Sequence, residues 1–94
     1  MFGFFKNTEK KIAKRQIRNN IRTAKQIIKE LPSKELEANG GLNDLIKRTQ
    51  VNIAGSLLGY GLVCQSVAVY SINAEKLKSL DCLDREVWQA VNKC

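Results

Sequence analysis

The chain has 94 residues, with 16 lysines and arginines against nine acidic residues, no histidine and a single proline. That length accommodates one domain around one small core and excludes a second. With no histidine and only three cysteines, Cys64, Cys82 and Cys94, none of them in a CxxC pair, neither a zinc site nor a disulfide framework is expected.

The net charge of +7 is unevenly placed. Residues 1–31 hold nine positive and two negative groups, whereas residues 32–94 hold seven of each. An excess confined to the first third points to an anionic partner for that third: nucleic acid, an acidic membrane surface or an acidic protein face. The apolar run at the start, Met1-Phe2-Gly3-Phe4-Phe5, is too short for a secretory signal, and with the cysteine usage it predicts a reducing, cytoplasmic location. Phe2, Phe4 and Phe5 supply half of the six aromatic residues. Clustered apolar rings either fold back onto a core or, ahead of a basic helix, enter a membrane interface.

From Thr8 to Leu31 two patterns run in parallel. Lys11, Arg15, Arg18, Arg22, Lys25 and Lys29 recur at alternating steps of four and three, as do Ile17, Ile21, Ala24, Ile28 and Leu31. Both are helical periods, and they predict a basic amphipathic helix whose apolar face seeks a partner helix. Asn7 or Thr8 is the expected N-cap, with Glu9 in the first turn, and Pro32 ends the helix. Residues 32–41 form a connector in which Ser33 caps a short turn through Leu36 and Ala38. Asn39-Gly40-Gly41 stops it with residues that tolerate positive φ.

Asn43 or Asp44 is the expected cap of the next element, which carries Leu45, Ile46, Thr49 and Ile53 on one side. Thr49 to Ala74 then contains no charge. As a central helix over the region 42–80, this stretch packs through the small residues Gly55, Ser56 and Gly59, with a kink near Gly59-Tyr60-Gly61. As strands, Leu62 to Ile72 partly alternates. As a membrane span it is long enough and brackets Lys47-Arg48 on its N-terminal side, but Gln50, Asn52, Gln65, Ser66, Ser71 and Asn73 oppose that reading. Helix ranks first. Residues 81–94 form a last helix, capped by Asp81 or Asp84, with Leu83, Val87, Ala90, Val91 and Cys94 at helical spacing and Trp88 on the flank.

Catalytic chemistry is not indicated. Histidine is missing, the carboxylates read as helix caps and surface partners such as Glu30 beside Gln26, and Cys64 in an apolar run reads as a small core residue. Gly59-Tyr60-Gly61 lacks the third glycine and the preceding strand of a nucleotide-binding loop. No enzyme, metal or cofactor is expected.

The basic stripe carries the functional expectation. A charge-rich solvated face is the ordinary outcome for such a helix. Here, however, no acidic residue lies between Lys10 and Lys29 to form Glu-to-Lys pairs at spacing four, and three of the six cations are arginines suited to phosphate. The sequence therefore predicts an all-α domain of three helices. It also predicts a non-enzymatic binding protein that engages a polyanion, foremost the nucleic-acid backbone, through Lys11, Arg15, Arg18, Arg22, Lys25 and Lys29. The long uncharged stretch predicts a homo-oligomer through Gly55, Gly59 and Trp88, which would set two basic stripes side by side. A membrane-associated protein, and an adaptor or inhibitor blocking an acidic protein, are the alternatives.

Overall fold

Pro32, Gly40 and Gly61 mark the breaks between the first four helices. In a computed structural model the order is α1 (Phe2–Glu30), α2 (Ser33–Ala38), α3 (Gly41–Gly59), α4 (Val63–Tyr70), a 3₁₀ turn (Ala74–Lys76) and α5 (Leu80–Asn92). The structure describes the backbone of residues 2–94 and the side chains of residues 8–94. The expectations placed on Phe2, Phe4 and Phe5 lie outside the described side chains.

The domain is all-α, as the periodicities predict, but its arrangement differs. The stretch from 49 to 74 is two helices rather than one, joined by Tyr60-Gly61-Leu62. Gly61 adopts φ +79°, the left-handed conformation open to glycine. The Gly61 N–H donates to the Leu58 carbonyl and the Leu62 N–H to the Leu57 carbonyl, both at 2.9 Å, the paired bonds that close a Schellman cap. Leu57 and Leu62 are both buried, supplying the apolar contact that accompanies this cap. Gly59-Tyr60-Gly61 is thus a helix terminator and not a phosphate loop.

Beyond the turn, α4 runs antiparallel to α3. The Ser66 hydroxyl donates to the Ala54 carbonyl at 2.7 Å, and the Gln50 amide donates to the carbonyls of Val69 at 2.7 Å and Ile72 at 2.9 Å. As numbering rises along α4, its partners fall along α3. Two of the polar residues that argue against a membrane span from sequence, Gln50 and Ser66, are here the clasp of a hairpin. No helix among the described residues is long and apolar enough to cross a membrane, which overturns the single-span reading.

Because the central stretch doubles back, four helices rather than three close around the core: α1 packs on α3, α3 on α4, α4 on α5 and α5 on α1. Ala13, Ile17, Ile21 and Ala24 enter from α1, Ile46, Ile53, Ala54 and Leu57 from α3, Val69 from α4, and Leu83, Val87 and Val91 from α5. Each buried Val, Leu or Ile contributes about 1.5–3 kcal/mol relative to exposure. At 1.5 Å per residue α1 is about 43 Å long, so it accounts for most of the molecule's 51 Å long axis.

Several caps fall elsewhere than expected. α1 extends back to Phe2, leaving Asn7 and Thr8 inside it, since nothing between Phe2 and Thr8 interrupts the helical ladder. Pro32 rather than Ser33 precedes α2 as its N-cap. Gly40 (φ +106°), not Asn43 or Asp44, precedes α3, and Asp44 pairs instead with Arg48, whose guanidinium also donates to the Asn39 carbonyl at the end of α2. At α5 the cap is Ser79, whose hydroxyl accepts from the Cys82 N–H at 3.2 Å, so Asp81 and Asp84 are free for other contacts.

Three glycine substitutions test this account in urea unfolding. Gly61→Ala forces a left-handed alanine and should cost about 1–2 kcal/mol. Gly40→Ala should cost more, because its Cβ would lie 2.6 Å from the Asp44 Cβ at a positive φ. Gly55→Ala, with open space around its Cβ, should instead stabilise by up to about 1 kcal/mol.

Candidate functional site

The first helix presents two faces. Ala13, Ile17, Ile21 and Ala24 bury against the bundle, and Lys11, Arg15, Arg18, Arg22, Lys25 and Lys29 are all solvent-exposed on the adjoining outer face. The apolar stripe ends sooner than its spacing implies. Ile28 is 39% exposed and Leu31 only half-buried. The reason lies in α5: its second residue, Asp81, meets Lys25, so the last turn of α1 runs past the start of α5 and has nothing to bury against.

The same meeting shapes the electrostatics. The Lys25 ammonium donates to Asp81 Oδ1 at 2.7 Å across 56 positions of sequence. This hydrogen bond, and then the opposite charge, raises the Lys25 pKa and holds the Asp81 carboxyl below its ordinary value. Both side chains remain largely in solvent, so the pair fixes geometry more than it adds stability. Among the described residues Lys11, Arg15, Arg18, Arg22 and Lys29 make no ion pair. Their mutual repulsion along one helix face is not offset by an ion-pair partner among the described residues.

Between α1 and the first turns of α5 lies an open groove of about 400 Å³, lined by Arg18, Ile21, Arg22, Lys25, Gln26, Lys29 and Asp84. The groove gathers four of the six predicted residues, and Lys11 and Arg15 continue the same face toward the start of α1. Asp81 and Asp84 form its acidic edge. Neither was legible as part of this face, because nothing in the local sequence ties the start of α5 to the middle of α1. Gln26 donates to Glu30 at 2.7 Å, the surface pairing read from their spacing.

The other residues singled out do not converge. Gly55 and Gly59 lie on the exposed side of α3, whereas Trp88 sits on α5, half-buried against the core of its own chain. Two cysteine expectations are overturned. Cys64 is exposed rather than buried, and it forms a disulfide with Cys94, Cα to Cα 6.1 Å, joining the first turn of α4 to a residue two positions beyond the end of α5. A separation of 30 residues hides the pair from sequence. Only the antiparallel packing of α4 and α5 brings them together. Cys82 is free and half-buried; the Ser79 hydroxyl hydrogen-bonded to it, and secondarily the Lys78 backbone and the nearby Arg85, lower its thiol pKa against the opposing effect of burial. Among the described residues no group of three His, Cys, Asp or Glu is placed to hold a metal ion.

No protein-family model, curated protein or solved structure matches the chain.

Thiol titration of the unfolded chain tests the disulfide. One reactive thiol is expected before reduction and three after it. In the folded protein the one alkylated residue should be Cys82, with a pH midpoint below the 9.0 of an ordinary thiol.

Proposed function

We propose that the protein is a non-enzymatic polyanion-binding domain whose ligand is the phosphate backbone of nucleic acid, held along the exposed face of α1. The observation that supports this reading is a row of six exposed cations, five of them without an ion-pair partner among the described residues, on one helix. From Lys11 to Lys29 the row covers about 27 Å at 1.5 Å per residue, the length of about eight base-pair steps of duplex. Arg15, Arg18 and Arg22 offer planar forks suited to phosphate oxygens, and the lysines act as point charges beside them.

Between Lys11 and Lys29 the chain has no aromatic residue on which bases would stack, so the contacts along this row are to backbone and carry little base readout. Asp84 and the Lys25–Asp81 pair at one edge of the groove limit how far an anion can spread onto α5. A bound backbone would run along α1 rather than across the bundle.

Fluorescence anisotropy with labelled duplex and single strands at several salt concentrations tests the reading. Binding should weaken linearly in log–log form as salt rises. Arg18→Glu with Arg22→Glu should lower affinity about tenfold or more for every sequence and make the salt slope shallower by about two. Asp81→Asn, which frees Lys25, should tighten binding. Failure to bind any nucleic acid at low salt would overturn the proposal, as would affinity left intact by the double reversal.

A further inference from the structure

Away from the basic helix, the α3–α4 hairpin exposes a run of large apolar side chains. Val51 and Leu58 project from α3, Tyr60 from the turn, and Val63, Val67 and Tyr70 from α4, each at least half exposed. Their spacing keeps each set on one stripe of its helix. The residues that clasp the hairpin, Gln50 and Ala54 on α3 and Ser66 and Val69 on α4, lie about a quarter turn from those stripes. In an antiparallel pair the two quarter turns run to the same side, so both stripes merge into one face opposite α1 and α5.

Nothing charged lies between Thr49 and Ala74. The six side chains leave about 600 Å² of surface in solvent, at the top of the range for patches on monomeric proteins, and approach the ~800 Å² that each partner buries in an ordinary interface. Gly55, with open space where a Cβ would stand, lets a facing backbone come close.

We infer that this face docks a second copy of the chain, pairing hairpin with hairpin about a two-fold axis. Charge selects that occupant. A chain of net charge +7 repels its own copy through most approaches, but its excess resides entirely in the first 31 residues, and pairing through α3–α4 sets those residues on the far sides of the dimer. A lipid surface would instead call for free cations around the apolar rim. At the α3 end of this face Lys47 and Arg48 are held in ion pairs by Glu75 and Asp44. Two tyrosines in the patch suit a protein interface. The basic faces then point outward instead of lying side by side as the sequence suggests. If the polyanion reading holds, the dimer grips two nucleic-acid segments at once.

Light scattering on a size-exclusion column reads the first part, with a mass twice 10.6 kDa expected at micromolar protein. Leu58→Glu with Val67→Glu, both on exposed positions, should halve that mass while circular dichroism stays helical. A monomeric parent protein overturns the inference, and so does a dimeric double variant. A monomer that partitions onto neutral phosphatidylcholine vesicles would assign the face to lipid instead. The second part is read by capturing a labelled duplex on a bead-bound one. The parent protein should bridge them, and the Leu58→Glu, Val67→Glu variant should bind the bead-bound duplex without capturing another. Dimers that bind one duplex but never bridge two would overturn the outward arrangement. Dimers that bind no duplex would overturn the polyanion reading alone.

Discussion

The reversal at Tyr60-Gly61-Leu62 is the constraint on which the rest of the structure depends. An uncharged run from Thr49 to Ala74 cannot be sheathed by the little chain left to cover it if it stays straight. Folding it in two halves the length to be covered and lets each half shield the other. The left-handed glycine makes the turn sterically possible. Gln50 and Ser66 then fix the register, because a buried amide or hydroxyl left unpaired would cost about 1–3 kcal/mol, and each finds a backbone carbonyl across the hairpin.

That fold-back also decides what α1 becomes. With α3, α4 and α5 closing three sides of a core, α1 supplies the fourth, and only its Ala13–Ala24 stripe is needed to do so. From Thr8 to Glu30 the outer face of the helix is left to solvent. Lys11, Arg15, Arg18, Arg22 and Lys29 are therefore spared from structural duty, whereas Lys25 ties the start of α5 through Asp81. A long helix with one buried stripe and a row of unneutralised charge beside it is an electrostatic surface first and a packing element second. The groove against α5 gives that surface one acidic edge and hence a direction.

The disulfide between Cys64 and Cys94 closes the domain at the opposite end from the Lys25–Asp81 tie. It bridges α4 and α5, both short helices, where cross-linking a long loop of chain limits the unfolded ensemble. The two ties together pin α5, one at its first turn and one just past its last.

How much of this was legible in the chain depends on the range of the interaction. Helical periods of three and four come from neighbours along one turn, so the all-α class, the apolar stripe through Ile17, Ile21 and Ala24, and the exposure of the six basic residues were readable directly. So were the stops at Pro32 and Gly40-Gly41, where backbone sterics act on single residues. Gly59-Tyr60-Gly61 announced a break but not its size. A kink and a full reversal use the same residues and differ only in whether the two halves have something to gain by meeting.

What the tertiary structure alone decided is every contact between distant segments. Asp81 reaches Lys25, Cys64 reaches Cys94, Gln50 reaches Val69, and Val51 and Leu58 share a face with Val63, Val67 and Tyr70. None of these leaves a local trace, because each depends on where two helices lie in space rather than on how one of them is built. The sequence by itself determined which side of each helix is apolar and where the charge resides. Packing determined which of those sides found a partner within the chain and which were left facing outward.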